Sequence, residues 1–182
     1  MAVFRFRVYW EDDDSVYRDV LIKSDQTFAD FHRAILSAFD FDQIHDAVFY
    51  RSNDNWQRGR EIVLKKDDRP RQAEPLLMAE TPVGAAVRNT NQKFVYVYDF
   101  QKNWTFLIEL IQVMGQENKK LTYPYCARKE GLAPSQYENK IPGNDKLMEM
   151  EEKYDLGSDD FSPEGFGEEG ETDQDMADEE SF

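Results

Sequence analysis

Few side chains in this chain have both the type and the position to do chemistry: His32, His45, Asp99 and Cys126. A zinc centre needs closely spaced histidine, cysteine or carboxylate ligands, and none of the usual paired spacings occurs. A nucleophile, a base and an orienting group cannot be assembled from these positions either. His32 falls near the edge of the apolar stripe of an expected helix, where a half-buried imidazole bonded to backbone is the ordinary role. His45 sits just before an expected strand and reads as a cap or loop residue. Cys126 lies beside Arg128 and Lys129, two cations that would lower a thiol pKa, although a packed strand cysteine is the simpler reading. These residues therefore predict no catalytic residue, no metal ligand and no cofactor.

The elements that must position these residues follow from the pattern of apolar positions. In 4–10, Phe4, Phe6, Val8 and Trp10 share one parity while Arg5 and Arg7 take the other, a half-buried strand with arginines outward. "EDDDS" is a turn and "SVYRDVLIKS" a second strand, so the chain opens with a hairpin. Thr27 with Asp30 forms a short capping box before "FADFHRAILSAF". There Phe28, Phe31, Ile35, Ala38 and Phe39 recur at helical spacing and should cover the sheet. "DAVFYRS" and "EIVLKK" read as strands joined by "NDNWQRG", with Gly59 supplying the turn. Residues 65–80 read as a long, proline-containing connection. "TPVGAAVRN" predicts a short helix with Thr81 as its cap and Pro82 in its first position.

"FVYVYDFQKNWTFLIEL" (94–110) is the most apolar and aromatic stretch, and it holds a polar interruption, Gln101-Lys102-Asn103, between two strand-like halves. Phe94, Tyr96, Tyr98 and Phe100 alternate with Val95 and Val97, and Trp104, Phe106, Ile108 and Leu110 alternate with Leu107 and Ile111. Both halves are apolar on two faces, which places them in the middle of a sheet. The interruption is then a hairpin turn, with Asn103 best able to adopt a left-handed backbone. "LTYPYCARKEG" is a last strand leading into a loop.

Three segments carry a family resemblance. "TFADFHRAILSAFDFDQIHDAVFYRSNDNW", "KFVYVYDFQKNWTFLIEL" and "YPYCARKEGLAPSQY" occur in an order similar to that of the Ri-plasmid ORF-three-like proteins, also described as insertion-sequence passenger proteins. The likeness spans most of 3–137. It implies an α+β domain with a mixed, mainly antiparallel sheet, one main helix and a short second one, and it implies no particular reaction. Relatives commonly place Gly-Asp in the hairpin and a histidine two residues after the tryptophan. Gln101, Lys102 and Phe106 stand there in this chain, so inherited acid–base or metal chemistry is not expected at the turn.

Charge divides the chain. The net charge is −15, and residues 138–182 hold 17 acidic and 3 basic residues, which leaves 1–137 near neutrality. The domain is thus read as 1–137 and the acidic tail as 138–182. Residues 155–182 contain 12 acids and no base, too little apolar surface to offset an ordering cost of about 1–2 kcal/mol per residue, so disorder is expected there. A single cysteine and no run of about 18 apolar residues suggest a reducing, cytoplasmic setting without a membrane span.

Phe161 and Phe166, embedded among carboxylates such as Asp159 and Asp160, suggest a recognition element for a basic surface. That surface is either the protein's own body or a partner such as a transcription or translation assembly. Lys102 and Trp104 offer a second contact surface at the hairpin. A nucleic-acid-associated accessory role, for a mobile element or the transcription machinery, is the alternative. It would rest on a basic patch of Arg5, Arg7, Lys65, Lys66, Arg69 and Arg71, against which the tail's charge would repel phosphate. A cryptic metal protein or enzyme is the third reading.

Overall fold

The computed structural model describes residues 1–137, so Asp159, Asp160, Phe161 and Phe166 lie outside the described residues. Eight strands form one sheet: β1 (Val3–Trp10), β2 (Asp13–Lys23), β3 (Ala47–Ser52), β4 (Arg58–Val63), β5 (Leu76–Leu77), β6 (Lys93–Tyr98), β7 (Trp104–Met114) and β8 (Tyr125–Glu130). Their order is β5-β4-β3-β6-β7-β1-β2-β8. Every pairing is antiparallel except β4 with β5, so the sheet is mixed but mainly antiparallel. The helices are α1 (Phe28–Ala38) and the single turn α2 (Val83–Ala86).

The alternation of β1 sets the two faces. Phe4, Phe6 and Val8 join Phe49, Ile62, Phe94, Tyr96, Tyr98, Trp104 and Phe106 beneath α1 in one aromatic-rich core. Its rings meet at angles that suit aromatic quadrupoles, such as Phe41 edge-on to Trp104 at 4.9 Å. The opposite face carries a smaller cluster of Val48, Val63, Val95 and Val97. Strands β6 and β7 are therefore central, with apolar side chains on both faces, as their composition implies.

On that second face, Arg5 and Arg7 point away from α1 and converge on Asp19, whose carboxylate is fully buried. Arg5 donates to Oδ2 at 2.6 Å and Arg7 to Oδ1 at 2.8 Å. Burial alone would push the Asp19 carboxyl up, but the hydrogen bonds and charges of Arg7 and Arg5 hold it below the usual range.

Helix α1 starts as its sequence implies. Asp30 N donates to the Thr27 hydroxyl at 3.3 Å, and Thr27 N donates to the Asp30 carboxylate at 2.9 Å. It ends at Asp40, whose φ of 58° is left-handed, and Phe41 N reaches back to the Leu36 carbonyl at 2.8 Å. Arg18 of β2 occupies the core-facing parity and is only 4% exposed. It donates to the Ala38 carbonyl at the helix end and to the Glu130 carbonyl, tying α1 and β8 to β2.

Four local expectations change. Gly59 is not the turn residue but lies inside β4, where a Cβ would stand 2.8 Å from the Arg51 carbonyl; Trp56, at φ 60°, takes the left-handed position instead. Thr81 does not cap α2, because its hydroxyl donates to the Leu77 carbonyl and Pro82 itself is the N-cap. Residues 65–80 contain β5 and a 3₁₀ turn, Met78–Glu80. Phe100 leaves the core face for the turn, 38% exposed, beneath the Arg69 guanidinium.

Candidate functional site

A group of titratable side chains gathers where β6 ends. Tyr98 is the last residue of β6, and Asp99 and Asn103, with φ of 59° and 52°, bracket the turn into β7. The Asp99 carbonyl accepts from Lys102 N at 3.0 Å and from Asn103 N at 2.6 Å, so the interruption is a closed hairpin turn. Asp99 N in turn donates to the Asp46 carbonyl, which brings the segment before β3 alongside the turn. The sharp exit from α1 at Asp40 delivers Asp42 to the same place.

Tyr98 is the hub. Its hydroxyl donates to Asp42, with the carbonyl and Oδ1 both at 2.7 Å, and accepts from His45 N at 3.2 Å. Burial pushes the phenol up to about 12, and the adjacent Asp42 carboxylate adds to the rise, so it stays a donor. Gln136 closes the group by donating to Asp42 Oδ1 at 2.9 Å and accepting from Asp42 N at 2.8 Å. Burial would raise the Asp42 carboxyl, but hydrogen bonds from Gln136 and Tyr98 hold it below the usual range.

His45 Nε2 lies 3.6 Å from Asp99 Oδ2 and makes no hydrogen bond among the described residues. Asp99 is buried, 4% exposed, and accepts from Gln101 N at 3.2 Å. This arrangement can hold an imidazole in one orientation and fasten the residues around Gln136 to the turn. Among the described residues, no group of three or more histidine, cysteine or acidic side chains is placed to hold a metal ion.

The expected site residues distribute unevenly. Lys102 donates its amine to the Gln136 carbonyl at 3.0 Å and so belongs to this group. Trp104 offers no contact surface: it is 1% exposed and packs against Trp10 and Phe41, because its position in β7 faces the core. His32 is not half-buried against backbone. It is 4% exposed and shares a 2.7 Å hydrogen bond with the Tyr96 hydroxyl. Burial lowers its pKa to about 4, with the charge of Arg33 adding to the effect.

The Cys126 thiol is pushed up rather than down, since burial outweighs the pull of Lys129. The expected basic patch does not form. Arg5 and Arg7 lie on β1, whereas Arg69 and Arg71 follow β4 and pair with Asp67 and, for Arg71, also with Glu61. Strands β3, β6 and β7 separate the two groups. Gln136 and Asp42 were not among the candidates, and no short motif joins residues so far apart in the chain.

Residues 2–164 match the profile of the plasmid pRiA4b ORF-3-like protein family. The chain belongs to that family. The match runs past residue 137 and takes in Asp159, Asp160 and Phe161, so the likeness is longer than the three segments that suggested it. A crystal structure of a protein of unknown function from Methanosarcina mazei Go1 is similar in fold. Its TM-score is 0.70 at 19% identity, over 87% of this chain and 86% of that one. No curated protein matches the chain.

Proposed function

We propose that this ORF-3-like protein is a non-enzymatic, cytoplasmic protein-interaction module. Its β8 edge accepts an extended segment of a basic partner protein, and its acidic C-terminal residues steer that partner in. The observation that carries the reading is the outer edge of β8. This six-residue strand ends the sheet, pairs only with β2 among the described residues, and leaves Tyr125, Ala127, Arg128 and Lys129 exposed. An unpaired strand edge presents backbone donors and acceptors that a partner strand can complete. The guanidinium of Arg128 is bound by Glu130 at 2.8 Å, which leaves Lys129 as the one cation of the strand set against a basic segment.

The net of −14 over residues 138–182 supplies attraction over a Debye length of about 8 Å at physiological salt, raising association rate more than affinity. Phe161 and Phe166, with Asp159 and Asp160, are its recognition residues in this reading.

The test is affinity capture from the native cell with three full-length forms: the parent, Ala127→Pro, and a form with Asp159→Asn, Asp160→Asn, Phe161→Ala and Phe166→Ala. Ala127 is the unpaired residue at the β2–β8 irregularity, where proline leaves the β2 pairing intact. A basic protein retained by the parent, lost with Ala127→Pro and protecting the amides of 125–130 from exchange supports the reading. Equal retention by all three forms at low salt rejects it.

A further inference from the structure

Most arginines of the described domain have a carboxylate: Arg5 and Arg7 share Asp19, Arg33 has Asp30, Arg69 and Arg71 have Asp67, and Arg128 has Glu130. Of the five that form no ion pair among the described residues, Arg18 donates to buried carbonyls and Arg58 lies over the Tyr50 ring, while Arg51, Arg60 and Arg88 are gathered at one place. Strand register puts Tyr50 opposite Glu61 and Ser52 opposite Arg58, so Arg51 stands alone against Gly59 and Arg60 in the β3–β4 irregularity. Gly59 keeps the backbones close there, because any Cβ would meet the Arg51 carbonyl at 2.8 Å. Arg88 follows α2. Buried Gln92 accepts from Arg88 N at 3.3 Å and donates to the Ser52 carbonyl at 3.4 Å, clipping the Arg88 turn to the end of β3.

Like charges gathered on neighbouring strands repel unless something offsets them. Among the described residues no carboxylate pairs with Arg51, Arg60 or Arg88. The nearby carboxylates are committed elsewhere, Glu61 to Arg71 and Asp54 to Lys93. Arg60 is already oriented, with Nε and Nη2 donating to the Glu74 carbonyl at 3.2 and 3.1 Å. Arg51 Nε is buried and has no hydrogen-bond partner among the described residues. Burial, then the charges of Arg88 and Arg60, lower the Arg51 pKa, so the three guanidiniums lie within electrostatic reach of one another.

We infer that Arg51, Arg60 and Arg88 form a binding site for the phosphoryl group of a small-molecule ligand. A carboxylate offers two coplanar oxygens and one charge, which suits a single guanidinium fork. A terminal phosphoryl group offers three oxygens in a tetrahedral array and up to two charges, which suits three converging guanidiniums. The site sits at one strand end, three cations in one place rather than a line of them along the surface, which suits a single phosphoryl group better than a track of phosphodiesters.

Pyrophosphate titrated into the full chain by calorimetry, against sodium chloride of matched ionic strength, tests the assignment. Saturable binding is expected, with the dissociation constant raised at least tenfold by Arg51→Gln and by Arg88→Gln. Arg88 is exposed and outside the sheet, so that variant decides the matter if Arg51→Gln does not fold. Absence of saturable binding, or unchanged affinity in Arg88→Gln, overturns the site. Citrate binding as tightly as pyrophosphate overturns the phosphoryl assignment.

Discussion

The two histidines each meet a tyrosine of β6, and the two pairs are built for opposite surroundings. His32 reaches from α1 to Tyr96 and is buried, 4% exposed, its Nδ1 sharing a hydrogen bond with the Tyr96 hydroxyl. His45 stands at the strand end beside Tyr98, its side chain 31% exposed and facing the Asp99 carboxylate. Tyr96 and Tyr98 share one face of one strand, so two residues of chain separate an apolar site from a wet, carboxylate-lined one. A histidine's environment here is set by depth along the strand. In the sealed pair, the neutral imidazole and the neutral phenol satisfy each other, and charging either is costly. In the rim group, hydrogen bonds from Gln136 and Tyr98 hold Asp42 ionised and fix its geometry instead.

The largest expected effect comes from protonating the sealed pair. The His32 pKa falls from 6.5 to about 4 on folding. Between those values the unfolded chain binds more protons than the native one, so this group's contribution is full above pH 6.5 and is lost as pH falls toward 4. A gap of that size amounts to about 3 kcal/mol at most. Urea unfolding at pH 7 and pH 4.5 should show the parent losing more stability on acidification than the double variant His32→Leu/Tyr96→Phe. That variant removes both polar partners together and leaves none unsatisfied. Equal acid sensitivity of the two proteins would mean that His32 is not sealed.

A second comparison sets Tyr98→Phe against Tyr96→Phe. The Tyr98 hydroxyl holds Asp42 and the amide of His45, so its loss unties several groups and should cost about 2–3 kcal/mol. The Tyr96 hydroxyl serves only His32 Nδ1, and its loss should cost about 1–2 kcal/mol. Denaturant midpoints of the two variants at pH 7 check the order. A costlier Tyr96→Phe would reverse the roles assigned to the two pairs.

How much of this was legible in the sequence depends on the distance over which each feature is encoded. The β1 alternation, the Thr27–Asp30 box and the left-handed Asn103 are local, and the structure repeats them. Arg18 left a readable trace, an arginine at the core parity of β2, because only a buried partner justifies a charge there. Gly59 was readable only as a turn, since its reason is the carbonyl of another strand. The rim group was not readable: Asp42 and Gln136 meet across 94 positions, and nothing near either one predicts the other. Trp104 misled for a related reason, as adjacency to a polar turn suggests exposure while strand parity dictates burial.

The smallest effect expected is the one that most sharpens the contrast. His45 contributes its backbone amide to Tyr98, which any non-proline residue supplies, while its imidazole stands 3.6 Å from Asp99 without a hydrogen bond. Asp99 keeps its contact with Gln101 N whatever occupies position 45. His45→Gln should therefore move stability by less than about 1 kcal/mol, below the usual cost of breaking a buried hydrogen-bonded network. Guanidinium melts at pH 7 measure this directly. A loss of 2 kcal/mol or more would show that the imidazole holds Asp99 in place, and the rim pair would then be as structural as the sealed one. A near-zero change leaves Asp99 anchored by the Gln101 amide and Tyr98 by Asp42, with the imidazole adding nothing to either.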